Sequence, residues 1–237
     1  MKFACISVDP PWQYNDGGYG GGVGTDSVYS TMPLEDLRDM AGWIDTLVEN
    51  NCWMFMWVTN PFMEEGHWLM RKWGFDPKTL ITWIKIRKQP ERGLLGVQAM
   101  PKIRTVGGHY THGATEHIIL GVRGSMRPSE VGIPNVFFAP VHQHSFKPDC
   151  TYRLIERLVG PDVNKIELFA RRHVEGWYGW GNQYPHAATL IECPTGKQWE
   201  IKDRTIPEVV ECDLCGEEVE SPKEGKRLQL CNECKGE

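Results

Sequence analysis

The sequence predicts an α/β fold, a sheet covered on both faces by helices, followed by a small four-cysteine tail. Three observations lead there. Strand-like and helical segments alternate along most of the 237 residues. Several strand-like runs are apolar throughout, which marks strands buried on both faces. The last thirty residues change character, turning acidic and carrying paired cysteines. A chain of this length buries one substantial core and leaves room for an appendage. A charged share of 24% is ordinary for a folded soluble protein. No stretch of about 18 apolar residues occurs, so a membrane span is not expected. The apolar run at the start is interrupted by Asp9 too soon to be a secretory signal, so a cytoplasmic location is expected.

Phe3, Ala4, Ile6 and Val8 form a short apolar run that stops at Asp9-Pro10-Pro11, a buried strand delivering its carboxyl end into a loop. From Asp16 to Gly24, six of nine residues are glycine, too flexible to hold one conformation unaided. This stretch is a surface loop or a lid that orders over a ligand. Pro33 suits the first turn of a helix, Glu35 and Asp36 favour its dipole, and Leu34, Leu37, Met40 and Ala41 give helical spacing. Cys52 to Val58 is wholly apolar and ends at Thr59-Asn60-Pro61, a buried strand. A helix is predicted from about Phe62 to Trp73, stopped by Gly74, then a strand from Thr79 to Ile86. Further strands are predicted over His117–Val122, Val136–Phe138 and Lys165–Phe169, with a helix over Tyr152–Val159. Most of the ten tryptophans are expected in the core, and those beside strand ends at the carboxyl edge are functional candidates.

Division into residues 1–206 and a tail of 207–237 follows from Pro207 and the polar stretch before it. Cys212-x-x-Cys215 and Cys231-x-x-Cys234, 15 residues apart, suit one tetrahedral zinc held by four thiolates in a zinc-ribbon-like tail. The tail has too few apolar residues to fold alone, so the metal would stabilise it. Four thiolates leave no open position, which makes the site structural. Disulfides are the alternative, and nothing suggests secretion. Cys5, Cys52, Cys150 and Cys193 lack such spacing and read as buried thiols. His142 and His144 have no third ligand nearby in sequence, so no metal is expected there.

The net charge of −5 comes from the tail, where nine acidic residues face four basic ones. The remaining body is neutral, and Lys85, Arg87, Lys88, Arg92, Lys102 and Arg104 stand against Glu91 alone in one stretch. That is a phosphate-sized basic patch or a solvated loop.

The loop Asp9-Pro10-Pro11-Trp12 carries the chemistry. An aromatic amine is a poor nucleophile because its lone pair is delocalised into the ring. Methylating it requires acceptors that pull on the amino hydrogens as the nitrogen becomes tetrahedral. Asp9 offers a carboxylate and Pro10 a main-chain carbonyl, while two consecutive prolines keep the turn rigid. Trp12 adds a flat face on which a flipped base would stack, worth about 1–3 kcal/mol. The alternative is an ordinary turn with a solvated Asp.

The tetrapeptide at a strand end resembles the catalytic motif of the adenine-N6 methyltransferase family that includes the eukaryotic messenger-RNA adenosine methylase catalytic subunit and many bacterial and phage enzymes. Tyr29-Ser30-Thr31-Met32 resembles the family's Tyr-x-Thr-Met turn, and Met56-Trp57-Val58-Thr59-Asn60-Pro61 its second strand and loop. Trp73-Gly74-Phe75 and Trp83-Ile84-Lys85 resemble the strand before the substrate loop, and residues 115–124 the central strand. His144-Ser145-Phe146-Lys147-Pro148-Asp149, Lys165 to Arg171, Trp177 and Trp180-Gly181-Asn182-Gln183 are similar to its cofactor half. The segments occur in the family's order from residue 3 to about 183. The Gly17–Gly22 region is longer in glycine than the family's loop, and the four-cysteine tail lies outside the family's motifs.

The resemblance implies a permuted Rossmann-like methyltransferase sheet, with S-adenosylmethionine bound at the sheet edge beside Asp9. It implies that Lys147 meets the donor's carboxylate and that Arg171, His173, Asn182 and Gln183 hold the ribose and adenosine. Glu167 would take ribose hydroxyls or orient Arg171. Tyr29, Lys85, Arg87, Lys88 and Arg104 would contact the substrate. The expected activity is methylation of adenine N6 in DNA, favoured because a compact form without a long RNA-binding extension suits a bacterial or phage modification enzyme. Rival readings are RNA adenosine methylation, a catalytically dead nucleic-acid-binding subunit of a methylase, or a zinc-dependent DNA-binding regulator. An intact tetrapeptide with Lys147 and Asn182 present favours the active form. The tail would grip nucleic acid or a partner, or serve as a stabilising clasp, and the chain would be a monomer or homodimer.

Overall fold

The computed structural model describes residues 1–13, 31–87, 101–106, 110–141, 146–181, 184, 209–211 and 218–220. Their strands are β1 (Phe3–Val8), β2 (Val48–Val58), β3 (Asp76–Ile86), β4 (Thr115–Arg123), β5 (Val136–Pro140), β6 (Lys165–Leu168) and β7 (Tyr178–Trp180), in one seven-stranded sheet of order β5-β3-β4-β2-β1-β6-β7. The helices are α1 (Leu34–Asp39), α2 (Ala41–Leu47), α3 (Met63–Lys72) and α4 (Cys150–Val159). This mixed α/β sheet fits a Rossmann-like methyltransferase. Strands β8 (Val209–Glu211) and β9 (Glu218–Glu220) pair antiparallel on their own.

The chain forms two compact units. In the first (Met1–Thr82, Glu116–Asn135, Glu156–Glu200), β2, β1, β6 and β7 run parallel, while β4 runs antiparallel to β2. Cys52 to Val58 are all buried, so this apolar run marks a strand covered on both faces; the four residues of β6 are buried as well, although two of them, Lys165 and Glu167, are charged. Helix α3 lies close on the sheet because two glycines give it room. A Cβ on Gly66 would stand 2.4 Å from Val58 Cγ1, and one on Gly121 would stand 2.3 Å from Met70 Sδ. Glu64 and Glu65 begin α3 and Arg71 and Lys72 end it, both favourable to its dipole. Gly74 (φ 80°) stops it in a Schellman motif, with Gly74 N–H bonded to Arg71 O and Phe75 N–H to Met70 O.

Three elements differ from expectation. The helix after Pro33 is interrupted at Met40 and resumes as α2, although Leu37, Met40, Ile44 and Leu47 continue one buried face. Strand β2 begins at Val48, because the exposed Glu49-Asn50-Asn51 belongs to it without an apolar signal. Strand β7 forms from three residues that have no strand pattern of their own and is defined by its pairing with β6.

In the second unit (Trp83–Thr115, Val136–Ile155, Ile201–Glu237), Trp83 is buried and donates its indole N–H to Ala139 O at 2.9 Å. The turn before α4 is closed by Thr151 N–H to Pro148 O and Tyr152 N–H to Asp149 O.

Candidate active site

Parallel pairing puts the carboxyl ends of β1, β2, β6 and β7 on one edge of the first unit. Antiparallel β4 brings its beginning to the same edge, with His117 opposite Val58. The segments leaving that edge are Asp9–Trp12, Thr59–Phe62 and Phe169–His173, with the chain that follows Trp180. Such an edge is where open α/β sheets bind ligands.

The Asp9–Trp12 loop is pinned from three sides. Asp9 N–H reaches Leu168 O at 3.4 Å, Trp12 N–H closes onto Pro10 O at 2.8 Å, and Met32 N–H donates to Pro11 O at 2.8 Å. The prolines have no N–H to offer and are buried, so the loop is held by its carbonyls and by the N–H groups of Asp9 and Trp12. Pro10 O keeps a second lone pair for another donor, and the half-buried Asp9 side chain precedes it.

Trp12 departs from the expected open stacking face. Its side chain is 6% exposed, its indole N–H donates to Trp57 O at 3.2 Å, and its ring stacks on Phe62 at 5.2 Å and 12°. A large aromatic with one polar atom buries well where that atom finds a carbonyl. Here Trp12 ties the reactive loop to the end of β2 and the turn after it.

The β6 and β7 ends hold the residues expected near the donor. Glu167 is 7% exposed, set between Ser7 and Gly179 by register. Phe169, next after β6, has φ 61°, a left-handed conformation unusual for a bulky side chain and a form of strain found at functional sites. Arg171 is half-buried and His173 exposed just beyond it. His173 Nδ1 lies 3.0 Å from the Tyr184 hydroxyl. Burial, and then the nearby Glu167 charge, push the Tyr184 phenol up. It therefore stays protonated and able to donate. Gly179 makes room for Tyr184, since a Cβ would come 2.3 Å from that ring, and a Cβ on Gly181 would meet Ala170 O at 2.5 Å. In the sequence a lone tyrosine after Asn182-Gln183 carries no pattern, so only the structure brings Tyr184 to this site. Asn182, Gln183 and Tyr29 lie outside the described residues. Lys147, in the second unit, is half-buried just before the turn that begins α4.

Within the second unit the described ends of the basic stretch, residues 85–87 and 102–104, pair as a short two-stranded ribbon. Ile86 pairs antiparallel with Ile103, with Arg87 N–H bonded to Lys102 O and Arg104 N–H to Lys85 O. Lys85 therefore faces Arg104 and Arg87 faces Lys102, and alternation places all four on the face opposite the isoleucines. Arg87, Lys102 and Arg104 are exposed. Lys85 departs from expectation, being 8% exposed with its Nζ 5.3 Å from the Trp83 ring centroid. A lysine held over an aromatic face in this way does not reach into solvent. Lys88 lies outside the described residues, as do His142, His144, Cys212, Cys215, Cys231 and Cys234. Among the described residues no group of three or more His, Cys, Asp or Glu side chains could hold a metal ion.

The MT-A70 family matches residues 3–183. The chain belongs to the MT-A70 family. It is 31% identical over 186 residues to the N(6)-adenosine-methyltransferase catalytic subunit METTL3 of Homo sapiens, covering 77% of this chain and 28% of that protein. The METTL3 subunit of Danio rerio is 32% identical, with the same coverage of both chains. The type II methyltransferase M.MunI of Mycoplasma sp is 30% identical over 222 residues, 85% of this chain and 84% of that enzyme. The chain thus spans about a quarter of the adenosine methyltransferases it matches. The MT-A70 match runs from β1 through β7 and includes Asp9, Lys147, Glu167, Arg171 and His173, while the four-cysteine tail lies beyond it. The relatives place the chain in a family of N6-adenosine methyltransferases.

Proposed function

We propose that this chain transfers a methyl group from S-adenosylmethionine to the N6 amine of adenine in DNA. The observation that carries the reading is the pinned Asp9–Trp12 loop at the sheet edge, where the Asp9 carboxylate and the remaining lone pair of Pro10 O stand on one rigid turn. Two acceptors suit the two hydrogens of one amine. As that nitrogen becomes tetrahedral, its charge develops facing Asp9. The prolines hold both acceptors in place before substrate arrives, so little reorganisation is needed during reaction.

S-adenosylmethionine, when bound, supplies an electrophilic methyl group on a sulfonium. The donor set at the edge fits it. Buried Glu167 offers carboxylate oxygens for ribose hydroxyls, and Arg171 and His173 follow the strained Phe169. The resemblance adds Lys147, Asn182 and Gln183 to this set. In chain order the strand that leads into Asp9 precedes the strand carrying Glu167, yet the two are neighbours in the sheet, which supports the permuted reading of the fold. Arg87, Lys102 and Arg104 on the ribbon suit a phosphate backbone. Support for DNA comes from the type II methyltransferase, matched over 84% of its length, against 28% for METTL3. A structural zinc on Cys212, Cys215, Cys231 and Cys234 belongs to the same reading, with β8 and β9 flanking the segment that carries the first pair.

Mapping of methyladenine in DNA and RNA from cells expressing the chain tests the proposal. Methylated adenine at a defined DNA sequence is expected. Methylation confined to RNA would transfer the reading to RNA, and no new methyladenine in either would remove it.

A further inference from the structure

A hydrogen-bonded chain of three side chains, Thr82, His117 and Asn60, ends at the same edge as the reactive loop. His117 Nδ1 lies 3.1 Å from Thr82 Oγ1, and its Nε2 lies 2.8 Å from Asn60 Oδ1. An amide oxygen accepts and never donates, so Nε2 carries the proton and donates to Asn60. Burial holds the His117 pKa below its ordinary value, with the Glu116 charge opposing this, so the ring is neutral and Nδ1 takes the Thr82 hydroxyl proton. Each group in the chain then has one role. With its oxygen turned to His117, the Asn60 amide has its NH2 directed away from that bond, and this nitrogen has no hydrogen-bond partner among the described residues.

The position of this donor is set by Trp12. Asn60 opens the turn Asn60–Phe62, which is closed by Phe62 N–H to Thr59 O at 3.0 Å. Trp12 bonds to Trp57 O three residues before Asn60 and stacks on Phe62 two residues after it. The loop that presents two acceptors is thus fastened to the turn that presents an exposed donor. Adenine displays the complementary pattern along its edges, an amine that donates beside a ring nitrogen that accepts.

We infer that Asn60 reads the target base, donating from its amide to a ring nitrogen flanking the reacting amine, and that His117 and Thr82 are positioning residues that fix the amide's orientation. The inference rests on adenine methylation as proposed above. Where that nitrogen is N1, the donor also disfavours guanine, whose Watson–Crick edge presents an N–H at the same place, whereas N7 accepts in both bases.

The test uses oligonucleotides bearing the mapped site with adenine, 1-deazaadenine or 7-deazaadenine at the target. Wild-type protein is expected to show kcat/KM about three- to tenfold lower on whichever analogue lacks the nitrogen that Asn60 contacts. Asn60→Ala should reduce that preference to about one, with the affinity for S-adenosylmethionine unchanged. Asn60→Asp keeps the oxygen held by His117 and removes the donor, so it should lose the same preference. His117→Ala should weaken the preference in the wild-type background and have no effect on it in the Asn60→Ala background, a coupling that a purely structural histidine would not show. Equal wild-type rates on both analogues and adenine, or full wild-type preference in both Asn60 variants, would overturn the inference while leaving adenine methylation intact. A wild-type chain that methylates no adenine would overturn both.

Discussion

Trp12 offers a direct way to separate a strut from a stacking platform. Replacing it with Ala removes a side chain that is almost wholly buried, together with its bond to Trp57 O and its contact with Phe62. Removing a buried Trp costs about 3–5 kcal/mol, part of it for the cavity left behind. At about 2–4 °C per kcal/mol for a chain of this size, the melting temperature should fall by about 10 °C. Trp12→Phe retains an aromatic face but lacks the N–H, leaving Trp57 O without that donor, so a cost of about 1–3 kcal/mol is expected. Differential scanning calorimetry on both variants reads these shifts, and methyl-transfer kinetics run beside them. If Trp12→Ala melted like wild type while KM for nucleic acid rose, the indole would be a substrate platform and the strut argument would be wrong.

Other consequences follow from the same structure. Arg104→Ala or Lys102→Ala should each lower the slope of log binding constant against log salt by about 1 in a DNA titration. Lys85→Ala should leave that slope unchanged and lower the melting temperature, because Lys85 is packed over Trp83. The His117 pKa lies below its ordinary 6.5, so the unfolded chain binds this proton more readily. Its stabilising contribution is therefore complete above about pH 6.5 and is lost as pH falls through the folded pKa, and His117→Gln should flatten the fall in melting temperature between about pH 7.5 and pH 5. The purified chain should carry about one zinc per molecule by elemental analysis, and Cys212→Ser should lower it; zinc-free wild-type protein would reject the four-thiolate tail.

What the sequence revealed depended on whether a signal was local. The apolar run before Asp9 and the unbroken run Cys52–Val58 announced buried strands, and each is one. Gly74 announced the end of α3, and it takes the left-handed conformation expected of it. Strand β7 was not legible, because Tyr178-Gly179-Trp180 has no alternation and owes its form to β6. The site divides in the same way. Asp9 and Pro10 are neighbours, and the chemistry they offer could be read from their order. His117 and Asn60 are 57 residues apart and meet through the antiparallel register of β4 on β2, which no spacing in the sequence encodes. Burial of Trp12 and Lys85 is not legible in the sequence for a related reason: side-chain type suggests a stacking face and a phosphate contact, whereas tertiary neighbours decide how much of each is covered.

Nucleoside analysis after incubation with labelled S-adenosylmethionine tests most directly whether Asp9 acts upon an adenine amine. Wild-type protein should place the label on N6-methyladenine in DNA bearing its site. Asp9→Asn, which keeps the shape and loses the charge, should slow the transfer by about 100-fold or more while the protein still binds the donor and melts normally. An Asp9→Asn variant with wild-type rates, or label found on a base other than adenine, would contradict the account.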